Sequence, residues 1–201
     1  RRVTLRPEMT PTVARMVAAR RRELALPLRL YSIPNVFRYE RPQRGRLREH
    51  WQLNCDLFGV SNIAGDIEAI SLAYEIMKNF GADDTDFSIR INSRAIIPET
   101  IATICKSEGV TLTDDQIGRV IRLIDRKSKM EEGAYAQALE EIIGPKGRMA
   151  ILMHFTSQNI EEFMLNTQAG QQFFPLLDAL PAHGIKNIVH DHEMVRGFDY
   201  Y

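Results

Sequence analysis

Four polar side chains at alternate positions of one short segment are the part of this sequence best suited to chemistry. The four residues are His50, Gln52, Asn54 and Asp56. Because successive side chains of a β-strand point to opposite faces, this segment presents all four on one face. Imidazole, amide and carboxylate groups have fixed donor and acceptor geometry, which favours binding of a polar ligand. The alternative is an ordinary solvated face of an antiparallel sheet.

An arginine-rich loop precedes this segment and predicts a ligand that carries phosphate. It has Gly45 at its turn and four arginines, namely Arg41, Arg44, Arg46 and Arg48. The planar guanidinium group can donate two parallel hydrogen bonds to a phosphate. Arg38 and Glu40 lie just before the loop and share one face of an extended run. A non-specific contact with nucleic acid is the alternative for the loop.

Two extended runs must pair to bring these groups together. We expect residues 34–41 and 50–58 to form antiparallel strands joined by the basic loop. Residues 27–33 also have an extended pattern. Before them, Thr10 and Pro11 predict the start of a helix, with the hydroxyl as the cap and proline in the first turn.

The rest of the chain predicts a helix, a strand, a long helical block and a final strand. The first helix spans about 63–80 and ends at Gly81, and residues 86–92 alternate as a strand. Thr113 and Gln116 predict a capping box inside the helical block. This order indicates an α+β fold, with an antiparallel sheet flanked by helices and with a helical insertion. We expect a core of 1–97 and 183–201, interrupted by the insertion at 98–182.

The composition is that of a globular protein without a membrane span. The 201 residues are 44% hydrophobic and 26% charged, and 26 basic residues balance 26 acidic ones. A basic ligand-binding site must therefore be local. No apolar run approaches the roughly 18 residues of a transmembrane helix, and the N-terminus lacks the apolar core of a signal peptide. Cys55 and Cys105 are far apart and predict two buried thiols in a reducing compartment.

Three separated stretches carry a resemblance to one enzyme family. The sequence FRYERPQRGRLREHWQLNCDLFG (37–59) resembles motif 2 of class II aminoacyl-tRNA synthetases. TLRPEMT (4–10) and VRGFDYY (195–201) are similar to the two segments particular to histidyl-tRNA synthetases. The stretches follow the family's order, with a helical insertion before the third. The resemblance implies a class II catalytic core that activates L-histidine with ATP and transfers it to tRNA(His).

The resemblance also implies the residues that handle ATP. Arg38 matches the motif-2 arginine that contacts the α-phosphate and the amino-acid carboxylate. Arg196 matches the arginine on the opposite side of that phosphate, so these two are the expected catalytic residues. Glu40 and Arg46 match positions around the adenine and the outer phosphates. Gln52 matches the residue near the carboxylate and is expected to contact both substrates.

The remaining implied residues form the histidine pocket. Glu8 would meet the substrate ammonium, and Thr10 would add a hydroxyl. Asp56 matches a position that carries Glu or Asp in the family and accepts a hydrogen bond from the imidazole. Tyr200 and Tyr201 match the tyrosine pair that lines the pocket. A site built to hydrogen-bond a polar ring rejects analogues that lack those groups by about 10⁴-fold, so no editing site is expected.

Cofactors and partners are likewise expectations from the resemblance. ATP enters as a substrate with Mg²⁺, and no protein-bound structural metal is expected. The intact protein would be a cytoplasmic homodimer without a membrane partner. The family's motif 1 would precede Arg1, and motif 3 and the anticodon-binding domain would follow Tyr201. We therefore expect the 201-residue chain alone to have weak or no activity.

Several alternatives stand beside this interpretation. A paralogue could keep the fold as an inactive, regulatory or histidine-binding subunit of histidine biosynthesis, and other class II enzymes act on threonine or proline. The VRGFDYY segment argues against the latter. His190 and His192 flank Asp191 like metal ligands, but no third ligand is visible, which favours a structural or solvated role. The consecutive arginines 20–22 form either a solvated helical face or a tRNA contact.

Overall fold

The computed structural model describes residues 3–39, 41, 43–127, 130–155 and 160–191. The chain forms two compact units, residues 1–65 and residues 66–201. The predicted order of helix, strands, helix, strand, helical block and strand is confirmed. Within the described ranges, no helix is both long enough and apolar enough to cross a bilayer.

The described residues of the first unit form one complete helix and four short strands. These elements are α1 (Thr10–Ala19), β1 (Leu28–Ser32), β2 (Asn35–Phe37), β3 (Glu49–Trp51) and β4 (Asn54–Phe58). Strand β2 pairs with β3 and β1 pairs with β4, both antiparallel. The predicted pairing of the two runs around the basic loop is therefore confirmed for β2 and β3.

The prediction of one unbroken strand over residues 50–58 was wrong. The chain leaves the ladder at Gln52 and Leu53, so β3 and β4 have different partners. At the break, the backbone N–H of Gln52 donates a hydrogen bond to the Pro34 carbonyl, 3.1 Å away. The alternation of side chains continues across this break, so the sequence pattern contains no sign of the change of partner.

Helix α1 begins where the sequence predicts it, but its predicted cap was wrong. Thr10 is the first helical residue, Pro11 lies in the first turn, and Met9 precedes the helix without a side-chain cap. The Thr10 hydroxyl instead accepts a hydrogen bond from Asn54 Nδ2 at 2.9 Å. The hydroxyl that was expected to cap the helix is therefore bonded to a side chain in β4.

The second unit is mainly helical. Its described elements are α2 (Ile63–Asn79, which begins in the first unit), β5 (Ile89–Ile91), α3 (Ile96–Ser107), α4 (Asp114–Ile124), α5 (Glu132–His154), α6 (Ile160–Leu165), α7 (Gln168–Ala179), a 3₁₀ turn (Leu180–His183) and β6 (Ile188–His190). The predicted end of α2 is confirmed by Gly81, which has a φ of 91°. The division at 97 and 182 stays a prediction.

Strands β5 and β6 pair in parallel, unlike the antiparallel sheet expected throughout. Nearly one hundred residues, including α3 to α7, separate the two strands, and parallel pairing requires such a long connection. The Asp191 amide extends the pairing by donating to the Ile91 carbonyl at 3.1 Å. The sequence predicts both strands but does not specify their relative direction.

Apolar packing organises the helical block. Fully buried side chains from α3, α4 and α5 include Ile101, Ile104, Val120 and Leu139. The predicted capping box is confirmed, because the Thr113 hydroxyl accepts from the Gln116 amide and Gln116 Oε1 accepts from the Thr113 amide. Gly144, at φ 75°, breaks α5 into two helical segments just before Pro145.

The two cysteines differ, so the prediction of two buried thiols was half wrong. Cys105 is fully buried in α3, and burial raises the pKa of its thiol to about 11. Cys55 is exposed on β4. An alternating strand pattern assigns a residue to a face but does not say which face is covered.

Candidate functional site

The site is built where the segment before α1 lies along strand β2. The Phe37 amide donates to the Arg6 carbonyl at 2.9 Å, and Arg6 Nε donates to the Asn35 carbonyl at 2.9 Å. These bonds hold the TLRPEMT segment against the hairpin that contains Arg38. Two of the three stretches singled out from the sequence are therefore adjacent in the fold.

Arg38 joins this segment to the second half of the hairpin. Its Nε donates to the Pro7 carbonyl at 2.9 Å, and its Nη2 donates to Gln52 Oε1 at 3.1 Å. The Arg38 amide also donates to the Arg48 carbonyl at 2.8 Å. Since the guanidinium has five N–H groups, three remain beyond these two side-chain bonds for a ligand.

The polar contacts continue from Gln52 to helix α1. Gln52 Nε2 donates to Asn54 Oδ1 at 3.0 Å, and Asn54 Nδ2 donates to Thr10 Oγ1 at 2.9 Å. We call this series, from Arg38 through Gln52 and Asn54 to Thr10, the amide chain. It connects three of the predicted site residues through side chains that are distant in sequence.

Asn54 is the member of the amide chain to which the family resemblance gave no role. Its side chain is 8% exposed, and both of its amide atoms are bonded within the chain. Its place on the polar face was visible from alternation. The sequence did not indicate that Asn54 is buried, which distinguishes it from an ordinary surface amide.

On the polar face of the hairpin, Asn54 is buried and Gln52 and Asp56 are half-buried, while the neighbouring hydrophobic side chains are exposed. Trp51 is 71% exposed and Leu53 is 47% exposed, in contrast to the buried Asn54. A polar face that is merely solvated would have the opposite arrangement. The observed burial therefore favours the ligand-binding alternative for these groups.

Asp56 lies on the same face of β4 as Asn54. Its Oδ2 atom is buried and has no hydrogen-bond partner within the described part of the chain. Ser32 pairs with Asn54 across β1 and β4. Its buried Oγ atom also lacks a hydrogen-bond partner within the described part of the chain. A buried carboxylate oxygen without a donor is costly, and a bound ligand with an N–H group would satisfy it. The side chain of Glu8 is half-buried in the segment before α1.

The basic loop closes in a tight turn. Gly45 has a φ of 78°, a conformation that favours glycine, and the Arg46 amide donates to the Gln43 carbonyl at 2.9 Å. The guanidinium carbon of Arg48 lies 4.7 Å from the centre of the Tyr39 ring. Arg46 is exposed at the end of the turn and takes no part in the amide chain.

Other predicted site residues lie outside the described ranges. They are Glu40, Arg196, Tyr200 and Tyr201. Their roles stay predictions, and so does the closing of Arg38 and Arg196 on one phosphate.

His190 and Asp191, at the end of the described chain, have structural contacts. Arg90 forms an ion pair with Asp191, with Nη1 and Oδ2 3.0 Å apart. The His190 ring packs against Phe173, with centroids 5.2 Å apart. His192 lies outside the described residues. Among those described, no group of three or more His, Cys, Asp or Glu residues is arranged to bind a metal.

Described residues of the second unit line two cavities. None of the predicted site residues is among them. One of about 340 Å³ has Asp66, Asn92, Ser93 and Gln172 among mainly apolar neighbours. The other, of about 220 Å³, is lined by Arg119, Arg122 and Arg126 together with Leu123 and Ile142. The three arginines lie on one side of α4 and its C-terminal continuation, and we call this cavity the arginine cleft.

Comparison with known proteins assigns the whole chain to one family. Residues 1–201 match the family described as histidyl-tRNA synthetase. Histidine–tRNA ligase of Leptospira biflexa is 36% identical over 207 residues, covering 100% of this chain and 46% of that protein. The Thermoplasma volcanium ligase is 32% identical over 209 residues, covering 100% of this chain and 47% of the relative. The chain thus spans about half the length of these relatives.

Solved structures support the fold. The histidyl-tRNA synthetase of Nostoc sp. PCC 7120 superposes with a TM-score of 0.73 at 20% identity, covering 98% of this chain and 47% of that one. A Bacillus halodurans C protein, described as an ATP phosphoribosyltransferase regulatory subunit/histidyl-tRNA synthetase, gives 0.73 at 22% identity, with 98% and 51% coverage. These similarities confirm the α+β synthetase-core fold.

Proposed function

Because the chain belongs to the histidyl-tRNA synthetase family, we propose that it forms part of a catalytic core that activates L-histidine with Mg²⁺-ATP and charges tRNA(His). The observation that carries this proposal is the amide chain, which joins Arg38, Gln52 and Thr10 through Asn54, on the face of β4 where Asp56 has a buried Oδ2 atom. We further propose that the intact protein acts in the cytoplasm as a homodimer.

The proposed first step needs positioning rather than a protein nucleophile. A carboxylate oxygen of histidine attacks the α-phosphorus of ATP, the bond to pyrophosphate breaks, and histidyl-adenylate forms. Arg38 holds the carboxylate and the α-phosphate with the N–H groups that Pro7 and Gln52 leave unused. Arg196 approaches the same phosphate from the other side. Such positioning contributes about 7–11 kcal/mol to lowering the barrier.

Selection of histidine falls to the acidic and hydroxyl groups. In this proposal, Asp56 Oδ2 accepts a hydrogen bond from the imidazole N–H, which explains why a buried carboxylate oxygen lacks a donor among the described residues. Glu8 pairs with the ammonium, and Tyr200 and Tyr201 line the ring. Charge-assisted hydrogen bonds of this kind are about twice as strong as neutral ones.

The arginine cleft is the feature of the second unit that best fits a phosphodiester backbone. Arg119, Arg122 and Arg126 are exposed, and their side chains form no hydrogen bond or ion pair within the described ranges. We propose that they contact tRNA. Replacing all three with alanine should lower kcat/KM for tRNA and flatten its salt dependence by about one unit of slope per lost phosphate contact. Histidine-dependent exchange should not change.

The consecutive arginines 20–22 supply the matched control for the cleft. They are also exposed and carry the same charge, but they lie at the end of α1. Their triple alanine variant should leave the salt slope unchanged. If it flattens the slope while the cleft variant does not, the tRNA contact belongs to α1 and not to the cleft.

Histidine-dependent exchange of pyrophosphate into ATP tests the proposed activation. A protein that contains this chain should catalyse the exchange at a rate that depends on histidine. Arg196→Ala should slow adenylate formation steeply with little loss of histidine affinity. A complete protein that binds histidine without any exchange would instead support the regulatory or histidine-binding subunit, and wild-type single-turnover rates for Arg196→Ala would refute the role of Arg196.

A further inference from the structure

We propose that Gln116 is a positioning residue that fixes the shape of the arginine cleft by joining the start of α4 to the break in α5. Arg119, Arg122 and Arg126 come from α4 and its continuation, whereas Ile142, which also lines the cleft, comes from α5. The shape of the cleft therefore depends on how α4 lies against α5. The inference rests on the proposed contact between the cleft and tRNA, and it adds the residue that holds the cleft in place.

The partners of the Gln116 side-chain amide fix its direction at both ends. Its Oε1 atom accepts from the backbone N–H of Thr113 at 2.9 Å, and its Nε2 atom donates to the Ile142 carbonyl at 2.9 Å. A backbone N–H can only donate and a backbone carbonyl can only accept. A flipped amide would place donor against donor and acceptor against acceptor. The same side chain therefore caps α4 and bonds to α5.

The Ile142 carbonyl is available to Gln116 because α5 breaks just after it. Gly144 has a φ of 75° and a ψ of 173°, a combination that is essentially restricted to glycine, and Pro145 follows it. The last four carbonyls of a helical segment have no partner within that segment. Because Ile142 lies two residues before the break, its carbonyl takes a donor from elsewhere, and Gln116 supplies one.

Two contacts hold the break in α5. Arg148 Nη1 lies 2.7 Å from Glu140 Oε2, and this ion pair connects the helical segments on either side of the break. In the second segment, Gly147 is buried, and a Cβ atom placed there would lie 3.0 Å from the Ile143 side chain. The two segments are thus in close contact, and the Ile142 carbonyl has a defined position.

Apolar packing alone does not fix the rotation of α4. Helices α4 and α5 pack against each other, and each has fully buried side chains, such as Val120 and Leu139. Hydrophobic burial is non-directional, whereas a hydrogen bond weakens steeply when its angle changes. Gln116 lies one turn before Arg119 on the same side of α4, so its bond to α5 acts on the side of the helix that lines the cleft.

The substitution Gln116→Met tests the inference, because it removes both side-chain bonds at similar length and adds no charge. In a protein that contains this chain, we expect the Kd for a tRNA(His) transcript to rise about 3- to 10-fold and its salt dependence to flatten. In the triple alanine variant of the cleft, Gln116→Met should have no further effect. A general loosening of the fold would weaken binding equally in both backgrounds, and that result overturns the inference.

Two further variants separate the bond to α5 from the cap of α4. Thr113→Ala removes the capping hydroxyl but keeps the backbone N–H that bonds Gln116, so it should leave tRNA binding unchanged. Gln116→Glu still accepts from that N–H but cannot donate to Ile142, so it should weaken binding at least as much as Gln116→Met. Equal weakening in Thr113→Ala and Gln116→Met overturns the inference. Weakening in Gln116→Glu but not in Gln116→Met is an effect of the added charge and also overturns it.

Gly144→Ala keeps the inference testable if Gln116→Met does not fold. A Cβ atom at Gly144 meets no atom within 4 Å, so the substitution acts through the backbone conformation. The altered break should displace the Ile142 carbonyl and weaken tRNA binding about as much as Gln116→Met does. Unchanged tRNA binding in Gly144→Ala overturns the inference.

The triple alanine variant separates failure of the inference from failure of the proposed function. If that variant weakens tRNA binding while Gln116→Met and Gly144→Ala do not, the inference fails alone. If the triple alanine variant binds tRNA like the wild type, the proposed tRNA contact fails and the inference fails with it.

Discussion

The two units of the molecule bury different kinds of groups. In the first unit, Val13 and Val36 are the buried hydrophobic side chains among those described, apart from Pro34, and the buried Asn54 lies in the amide chain. In the second unit, the helices bury a continuous set of branched side chains that includes Ile104 and Leu139. The first unit therefore has few fully buried side chains beside a part-buried hydrogen-bond network, whereas the second unit has a continuous apolar interior.

This difference predicts where mutations will act. Hydrogen bonds between buried polar groups specify geometry and contribute modest net stability, so changes in the first unit should alter ligand handling first. Apolar burial dominates stability, so changes in the core of the second unit should alter the free energy of unfolding first. The following predictions test this separation.

Arg38→Ala should give the largest effect on activity. It removes a guanidinium that bonds Pro7 and Gln52 and that we place on the α-phosphate. We expect kcat for histidine-dependent exchange to fall about 10²- to 10³-fold. Arg38→Lys should recover little, because an ammonium cannot reproduce the planar fork. Arg20→Ala, at an exposed position, is the control, and an equal loss there would contradict the assignment.

Leu139→Ala should give the largest effect on stability. Leu139 is fully buried in α5, and the cavity left behind should lower the free energy of unfolding by about 2–5 kcal/mol in urea denaturation. Met153→Ala, in the same helix but 59% exposed, should change it by less than about 0.5 kcal/mol. The KM for histidine should be unchanged in both. A raised KM in Leu139→Ala would break the proposed separation between the units.

Asp56→Asn should weaken function while it stabilises the fold. The substitution removes the charge from a buried oxygen that lacks a donor among the described residues, so the free energy of unfolding without ligand should rise by about 1 kcal/mol. The KM for histidine should rise about 10- to 100-fold, because the imidazole loses a charge-assisted bond. Asp125→Asn, on an exposed side chain, should do neither. A destabilised variant with normal KM would show that Asp56 serves the fold alone.

Thr113→Ala should give the smallest effect. It removes the hydroxyl that caps α4, and we expect a loss of about 1 kcal/mol in the free energy of unfolding without any change in exchange activity. Thr111→Ala, two residues earlier and exposed, should be nearly neutral. Equal losses for the two variants would mean that the capping box does not stabilise the helix.

Local signals in the sequence were reliable where short-range chemistry decides the structure. The start of α1 at Thr10 and Pro11, the stop at Gly81 and the capping box of Thr113 and Gln116 all appear as predicted. Each depends on residues within one turn of each other, so no knowledge of the rest of the fold is needed.

Predictions failed where a partner distant in sequence decides the outcome. The segment 50–58 alternates without interruption, yet its two halves pair with different strands. Thr10 was expected to cap its own helix, but Asn54, 44 residues away, takes its hydroxyl. Cys55 was expected to be buried and is exposed. Each outcome depends on which strand or side chain is adjacent in space.

The sequence by itself determined the family and the order of the elements, and it singled out the residues that we propose bind a polar ligand that carries phosphate. Those features depend on residue types and local spacing. Only the tertiary structure decided that Asn54 is buried, that β5 and β6 run in parallel, and that Asn54 completes the chain from Arg38 to Thr10. The physical reason is that burial and hydrogen-bond partners are properties of groups brought together by folding, and side-chain alternation alone does not encode them.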